Sequence, residues 1–210
     1  VVLGVLTKNY LSDESAITDM RRYQAAVNNA VSVGLGAGSP QQSAMVARVA
    51  AEIQPQHVNQ VFTGVATSRA LLGQADTVIN GLVAPSGEVG LVNVATGPLS
   101  SQSAKANIPV ATAITMLKDM GGTSLKYFPM QGTAHLEEFK AVAAACADNE
   151  FGLEPTGGLD LTNFQQIVQI AVAAGVRQII PHVYSSIIDA TTGETQPEAV
   201  AQLLTIMKQF

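Results

Sequence analysis

The sequence predicts an α/β fold built on a parallel sheet, and three observations support this. Short apolar, β-branched runs alternate with longer helical patterns along all 210 residues, which is typical of parallel strands joined by crossover helices. Charged residues make up only 13% of the chain, and hydrophobic residues make up 47%, as expected where most faces are buried. The length suits one domain, residues 1–210, and no linker or low-complexity tract divides it.

The first half of the chain contains five predicted strands. Ser39 and Gln42 match a capping box with Pro40 at the first helical position, so we expect a helix from there to Ile53. The tripeptide Pro85-Ser86-Gly87 predicts a hairpin between two apolar runs. The predicted strands are 1–7, 31–37, 58–63, 77–83 and 88–95, and the other predicted helices are 13–28 and 68–72.

The second half continues the same alternation. A helix over 110–120 should stop at Gly121-Gly122. A capping box at Thr162–Gln165 should open another helix, and Pro197 should open the last. The remaining predicted helix is 135–148, and the predicted strands are 124–128, 151–154 and 178–184.

Counting 77–95 as one strand with an excursion gives seven βα-type strands. The best match is a (β/α)8 barrel of the TIM type that lacks its first N-terminal βα unit in this chain, and the alternative is a doubly wound open sheet. The chain opens directly on an apolar strand pattern without Met. We therefore expect further residues upstream of Val1.

Composition limits the partners. Eleven basic and sixteen acidic residues give a net charge of −5, which argues against nucleic acid or an anionic membrane as the main partner. No apolar run is long enough to span a bilayer. The single cysteine, Cys146, is typical of a reducing compartment. No signal-peptide pattern is present, so a cytoplasmic location is expected. Low charge content predicts a homo-oligomer that covers apolar surface.

The most informative stretch is 124–130, in which Lys126 projects from the middle of an apolar strand pattern. Burial lowers the pKa of an ammonium group, and the resulting free amine can attack a ketone to form a Schiff base. The alternative is a structural lysine that reaches solvent at a strand end or pairs with a carboxylate. The strand pattern alone leaves both interpretations open.

Two later stretches resemble an anion site. Thr156, Gly157 and Gly158 follow a strand and precede a helix, where backbone N–H groups can turn toward a phosphate. Ser185 and Ser186 follow the last strand and could complete that site. An ordinary turn that uses glycine for positive φ explains the first stretch equally well. His182, in the last strand, could bind substrate or relay a proton, or could be a structural residue.

These motifs together resemble a known family. The run from Leu125 to Pro129 resembles the Lys-Phe-Phe-Pro signature of class I 2-keto-3-deoxy-6-phosphogluconate aldolases, and Pro155–Gly158 is similar to their Pro-Thr-Gly-Gly phosphate loop. Nearly the whole chain resembles the 2-dehydro-3-deoxyphosphogluconate aldolases of glucosaminate breakdown. The motifs that carry this resemblance are 34–38, 57–62, 119–122, 154–158 and 181–189.

The resemblance implies a lyase in which Lys126 forms an imine with the ketone of a phosphorylated 2-keto-3-deoxy acid. The products would be pyruvate and glyceraldehyde 3-phosphate. Thr156, Gly157 and Gly158 would hold the phosphate. Ser185 and Ser186 occupy the matching strand-eight loop without its Gly-Gly-Ser.

The early glutamate and arginine of the better-known aldolases have no counterpart in this sequence. Glu154 is therefore the candidate acid/base, with a strand-end ion pair to Lys126 as its structural alternative. Lys8 is a candidate anchor for the substrate carboxylate and a rival nucleophile. Asn59 could hydrogen-bond the substrate or tie strands together.

Other interpretations remain open at this point. The same site could act on 4-hydroxy-2-oxoglutarate, or an isomerase or epimerase could use Glu154 and His182 without a covalent step. A sugar-phosphate binding protein is the non-enzymatic alternative. Gly34–Gly38 lacks the third glycine of a dinucleotide fingerprint. The three histidines are single and widely spaced, so a structural zinc site is not expected. A weakly held divalent ion at Glu154 or Asp189 stays open as an alternative, and no other cofactor is expected.

Overall fold

A computed structural model describes residues 1–210. Its centre is a parallel sheet of six strands. In spatial order they are β1 (Leu3–Leu6), β2 (Val31–Gly34), β3 (His57–Val61), β4 (Val78–Pro85), β7 (Ser124–Tyr127) and β8 (Gly152–Pro155). Helices connect successive strands as crossovers, which confirms the predicted α/β class.

The segment predicted as a strand over 178–184 is an extension of this sheet rather than a regular strand. Ile179 and His182 form isolated parallel bridges with Leu153 and Thr156. Pro181 lies between the two bridges and has no N–H to donate to the ladder. The segment adds a seventh position beside β8. The strand order is that of a (β/α)8 barrel. The barrel is open between β1 and this segment, because β1 pairs only with β2.

The predicted hairpin is present, and it extends into a small antiparallel sheet. Two short strands, β5 (Leu91–Asn93) and β6 (Asn107–Pro109), follow β4. β5 pairs antiparallel with the end of β4 and with β6. The chain then returns to the parallel sheet, where β7 pairs with β4. The sequence predicted the first pairing but not β6.

Two predicted capping boxes are wrong. The Ser39 side chain makes no capping hydrogen bond, and residues Pro40–Gln42 form a 3-10 turn before the helix. Asn163, not Thr162, precedes the later helix, and the Thr162 hydroxyl donates instead to Asp160. The helices are α1 (Asp13–Ala26), α2 (Ser43–Ile53), α3 (Val65–Leu72), α4 (Val110–Asp119), α5 (Leu136–Asp148), α6 (Phe164–Ala173) and α7 (Pro197–Met207).

One hydrophobic core joins the helices to the outer face of the sheet. Apolar strand residues such as Val58, Ile79 and Leu125 are fully buried in it, together with helix residues such as Ile114 and Ile167. Cys146 belongs to this core, and burial raises the pKa of its thiol to about 12. None of the helices combines the length and the hydropathy that a membrane crossing requires.

Candidate active site

Polar side chains occupy the other face of the parallel sheet, and the strand register brings them together. Successive side chains of a strand alternate between its two faces, whereas directly paired residues of parallel strands share a face. Asn59 pairs with Asn80, and Asn80 pairs with Ser124. Lys126 pairs directly with Glu154. The strand register therefore gathers polar side chains on one face of the sheet, whereas the opposite face is apolar.

Lys126 lies in β7 and is 9% exposed. Its Nζ donates a hydrogen bond of 2.8 Å to Asn59 Oδ1. Burial lowers the pKa of Lys126 to about 8, and the nearby charge of Glu154 only partly offsets that effect. At neutral pH the amine consequently has a sizeable unprotonated fraction, which is the form that attacks a carbonyl.

Asn59 has every one of its hydrogen-bonding positions filled. Its Nδ2 donates to Ser32 Oγ over 2.8 Å and to the carbonyl of Val33 over 3.3 Å. Its Oδ1 accepts from Lys126 and, over 2.9 Å, from Asn80 Nδ2. The two N–H donors of the amide are used by Ser32 Oγ and the Val33 carbonyl, so the amide oxygen is the atom that faces Lys126. The network therefore sets the orientation of the Asn59 amide.

Glu154 is completely buried at the centre of the cluster. His57 Nε2 lies 3.0 Å from its Oε1, and Ser124 donates to the same oxygen. His182 Nε2 lies 2.7 Å from Oε2, which also accepts from Asn80. Each carboxylate oxygen thus has two partners, which fills the approximate capacity of the group.

The surroundings keep Glu154 ionised. Burial alone would raise its pKa, but the charge on His57 and the hydrogen bonds from His182 and His57 hold the pKa well below its usual range. For His182, burial and the charge of Lys126 lower the pKa to about 4, although Glu154 opposes them. At neutral pH the site therefore holds an anionic Glu154 beside a neutral His182.

The loop after β8 presents free backbone donors. Gly157 and Gly158 have φ of 99° and 73°, which glycine adopts without strain. Neither of their N–H groups donates a hydrogen bond within the protein, and the N–H of Leu159 does not either. The Thr156 hydroxyl donates to the carbonyl of Glu154 and is not free for an anion in this arrangement.

The segment after His182 lies against this loop. The Ser186 hydroxyl donates to the carbonyl of Leu159 over 2.6 Å. The N–H groups of Ser185 and Ser186 have no partner in the protein. The two stretches that the sequence singled out as an anion site are therefore adjacent, and each carries unpaired backbone donors.

Lys8 lies on a 3-10 turn that follows β1 and is exposed. Its aliphatic part covers Gly36 in the loop after β2, because a Cβ at Gly36 would come within 2.3 Å of Lys8 Cδ. Lys8 belongs to the carboxyl-end loops of the sheet. It is not among the hydrogen-bond partners of the buried cluster around Glu154.

The cluster also has the donor types for a metal ion. His57, Glu154 and His182 offer ligand atoms that all lie within 4.8 Å of one another. Two imidazoles and a carboxylate suit a divalent transition metal. In this arrangement both imidazole Nε2 atoms are directed at carboxylate oxygens as hydrogen-bond partners instead.

Sequence reasoning missed four residues of the network. His57, Asn80, Ser124 and Ser32 were not among the predicted site residues, although Ser32 Oγ lies 2.7 Å from His57 Nδ1 and extends the network to β2. Each is a polar residue inside an apolar strand pattern, as Lys126 is. That signal was present in the sequence, but it needs the strand register before it indicates one cluster.

Comparisons with known proteins identify a family and a fold that this chain resembles. Residues 1–191 match the KDGP aldolase family. A curated relative from Salmonella typhimurium (strain 14028s / SGSC 2262), named 2-dehydro-3-deoxy-phosphogluconate aldolase, is 44% identical over 99% of this chain and 85% of its own length. Among solved structures, N-(5'-phosphoribosyl)anthranilate isomerase from Pyrococcus furiosus aligns with a TM-score of 0.53 at 11% identity, over 99% of this chain and 88% of that one.

The structural likeness, at 11% identity, concerns the fold alone and supports the barrel-type strand order. The sequence matches go further and define the class: the protein is an aldolase, a lyase that cleaves carbon–carbon bonds. Within that class, the chain belongs to the KDGP aldolase family.

Proposed function

We propose that this enzyme cleaves 2-dehydro-3-deoxy-6-phosphogluconate to pyruvate and glyceraldehyde 3-phosphate through an imine on Lys126. The observation that carries the proposal is the buried Lys126 amine, which has a pKa of about 8 and is oriented by Asn59. At pH 7.5 such an amine is roughly one quarter unprotonated, against about 0.1% for an ordinary lysine. The relative's printed name supports the same substrate.

The mechanism begins with attack of Lys126 on the C2 ketone and loss of water. The resulting protonated imine accepts the electron pair of the C3–C4 bond when the C4 hydroxyl loses its proton. Glyceraldehyde 3-phosphate leaves, and the enamine is protonated at C3. Hydrolysis of the pyruvate imine then restores the free amine. The proton transfers fall to the Glu154–His182 pair, which lies beside Lys126 in the sheet register.

The substrate's two anionic ends need separate partners. The unpaired N–H groups of Gly157, Gly158, Ser185 and Ser186 suit the phosphate, since they lie on two adjacent loops and have no partner in the protein. Lys8 supplies a cation at another carboxyl-end loop and suits the carboxylate. This assignment places the reacting ketone between them, at Lys126.

Turnover with the phosphorylated substrate tests the proposal. Pyruvate release, measured with lactate dehydrogenase, should be fast with 2-dehydro-3-deoxy-6-phosphogluconate, and inorganic phosphate should compete with that substrate. Comparable kcat/KM for 4-hydroxy-2-oxoglutarate, without competition by phosphate, would contradict the substrate assignment. Isomerisation of a sugar phosphate without pyruvate release would contradict the reaction.

We also propose that the enzyme is a cytoplasmic homo-oligomer. Leu11, Val89 and Leu99 are large apolar side chains that are at least 65% exposed, and such groups are commonly covered by a second copy. Light scattering after size-exclusion chromatography should give a multiple of the 21.8 kDa chain mass. A single-chain mass at micromolar concentration would contradict the oligomer.

A further inference from the structure

The Glu154–His182 pair contains two candidate proton carriers, and their surroundings differ. Glu154 has no exposed surface, and each of its oxygens already has two hydrogen-bond partners. A proton carrier must approach the atom it serves to within hydrogen-bond distance, directly or through one water. Glu154 could meet that requirement only after giving up a partner.

His182 has one nitrogen engaged and one free. Its Nε2 is bound to Glu154, whereas its Nδ1 makes no hydrogen bond within the protein. Nδ1 is not among the buried atoms that lack a partner, and the side chain is 21% exposed. The free nitrogen is therefore accessible to solvent, unlike the oxygens of Glu154. Hydrogen bonds through Glu154, Asn80 and Asn59 connect His182 to the Lys126 amine.

The hydrogen-bond network also fixes the chemical form of His182. An ionised Glu154 accepts the hydrogen on Nε2, so the neutral imidazole carries its lone pair on Nδ1. When Nδ1 takes a proton, the adjacent carboxylate stabilises the imidazolium that forms. The remaining partners of Glu154, which are His57, Ser124 and Asn80, hold the carboxylate in place.

We propose that His182 Nδ1 is the general base and acid of the reaction and that Glu154 is a positioning residue. This inference rests on the proposed imine mechanism. Nδ1 removes the proton of the C4 hydroxyl as the C3–C4 electron pair moves to the iminium nitrogen of Lys126. The imidazolium then returns that proton to C3 of the enamine, and its own charge reverts to neutral. Atoms and electrons balance without another reactant.

Pyruvate alone isolates the second proton transfer. Pyruvate and Lys126 form the imine, which borohydride reduction traps without any base. Exchange of the pyruvate methyl hydrogens with D2O requires in addition that a base interconvert the imine and the enamine. Wild-type enzyme should do both, with exchange followed by proton NMR and trapping followed by intact mass.

The decisive variant is His182→Asn. We expect it to retain the trapped pyruvyl adduct and to lose methyl exchange by about 10²–10⁴-fold, the range for removal of a general acid–base. His135→Asn is the matched control, because His135 Nδ1 also pairs with a carboxylate, Glu138, at 3.0 Å but outside the cluster. The control should exchange at the wild-type rate.

Chemical rescue separates proton transfer from a structural role. Adding imidazole to His182→Gly should restore exchange in proportion to the imidazole concentration, whereas Lys126 trapping should not change. Exchange in His182→Asn within threefold of wild type would overturn the inference, and so would a lost exchange that imidazole does not restore. Absence of trapping in wild-type enzyme would instead contradict the imine mechanism itself.

Discussion

Lys126→Met should abolish turnover and make the protein more stable. Methionine keeps an unbranched chain of similar length but removes the ammonium group. Lys126 is buried, with a pKa lowered from 10.5 to about 8. A lowered pKa in a basic group means that folding disfavours the charged form, so the wild-type protein carries a destabilising charge at neutral pH.

The size of the effect follows from that pKa. The difference of about 2.5 pH units, at about 1.36 kcal/mol per unit, corresponds to roughly 3 kcal/mol. This cost is fully present below the folded-state pKa of about 8 and disappears above 10.5. Asn59 Oδ1 loses one donor in the variant but still accepts from Asn80. For a chain of this length, ~3 kcal/mol corresponds to a rise in Tm of about 6–12 °C.

Denaturant unfolding at pH 7 and at pH 10.5 measures the effect. The stability gain of Lys126→Met should be largest at pH 7 and should shrink as pH rises from 8 to 10.5. Lys140→Met is the control, since Lys140 is exposed on α5 and should shift stability by no more than about 0.5 kcal/mol. A Lys126→Met variant no more stable than wild type at pH 7 would refute the argument that Lys126 is a strained, reactive amine.

Three further predictions address the rest of the site. Asn59→Asp places a carboxylate against Lys126 and should raise the pKa of Lys126 by about 1–3 units. The rise of kcat/KM with pH should then move to higher pH, and an unchanged pH profile would contradict the Lys126–Asn59 hydrogen bond. Gly158→Ala should raise KM for the phosphorylated substrate at least tenfold, because its Cβ would lie 2.5 Å from the backbone nitrogen of Gly132; an unchanged KM would remove this loop from the phosphate site. Dialysis against EDTA should leave steady-state activity intact, since hydrogen bonds occupy the oxygens of Glu154; loss that Zn²⁺ or Mn²⁺ restores would make the histidine–carboxylate cluster a metal centre.

The sequence predicted the fold class because the alternation of strands and helices is a local pattern. Element ends were less predictable, since they depend on tertiary contacts. The predicted strand 31–37 ends at Gly34, where the chain turns into a loop that packs against Lys8. Likewise, β6 is only three residues long and is defined by its pairing with β5 rather than by its own composition.

The site was only partly predictable for the same reason. Lys126 and the Gly157-Gly158 loop have local signatures, so the sequence indicated them directly. His57 and Asn80 do not, because each is one polar residue in its own strand and its role depends on the register that places it beside Glu154. The four-partner environment of Glu154 comes from four different strands or segments, which no single stretch of sequence contains.

The most direct test of the imine mechanism is intact mass after treatment with pyruvate and borohydride, followed by peptide mapping. The mechanism predicts one reduced pyruvyl group per chain, on Lys126, and none in Lys126→Met. An adduct on Lys8 would keep the chemistry but contradict the assigned nucleophile. No adduct on a folded, active enzyme would contradict a covalent imine mechanism altogether.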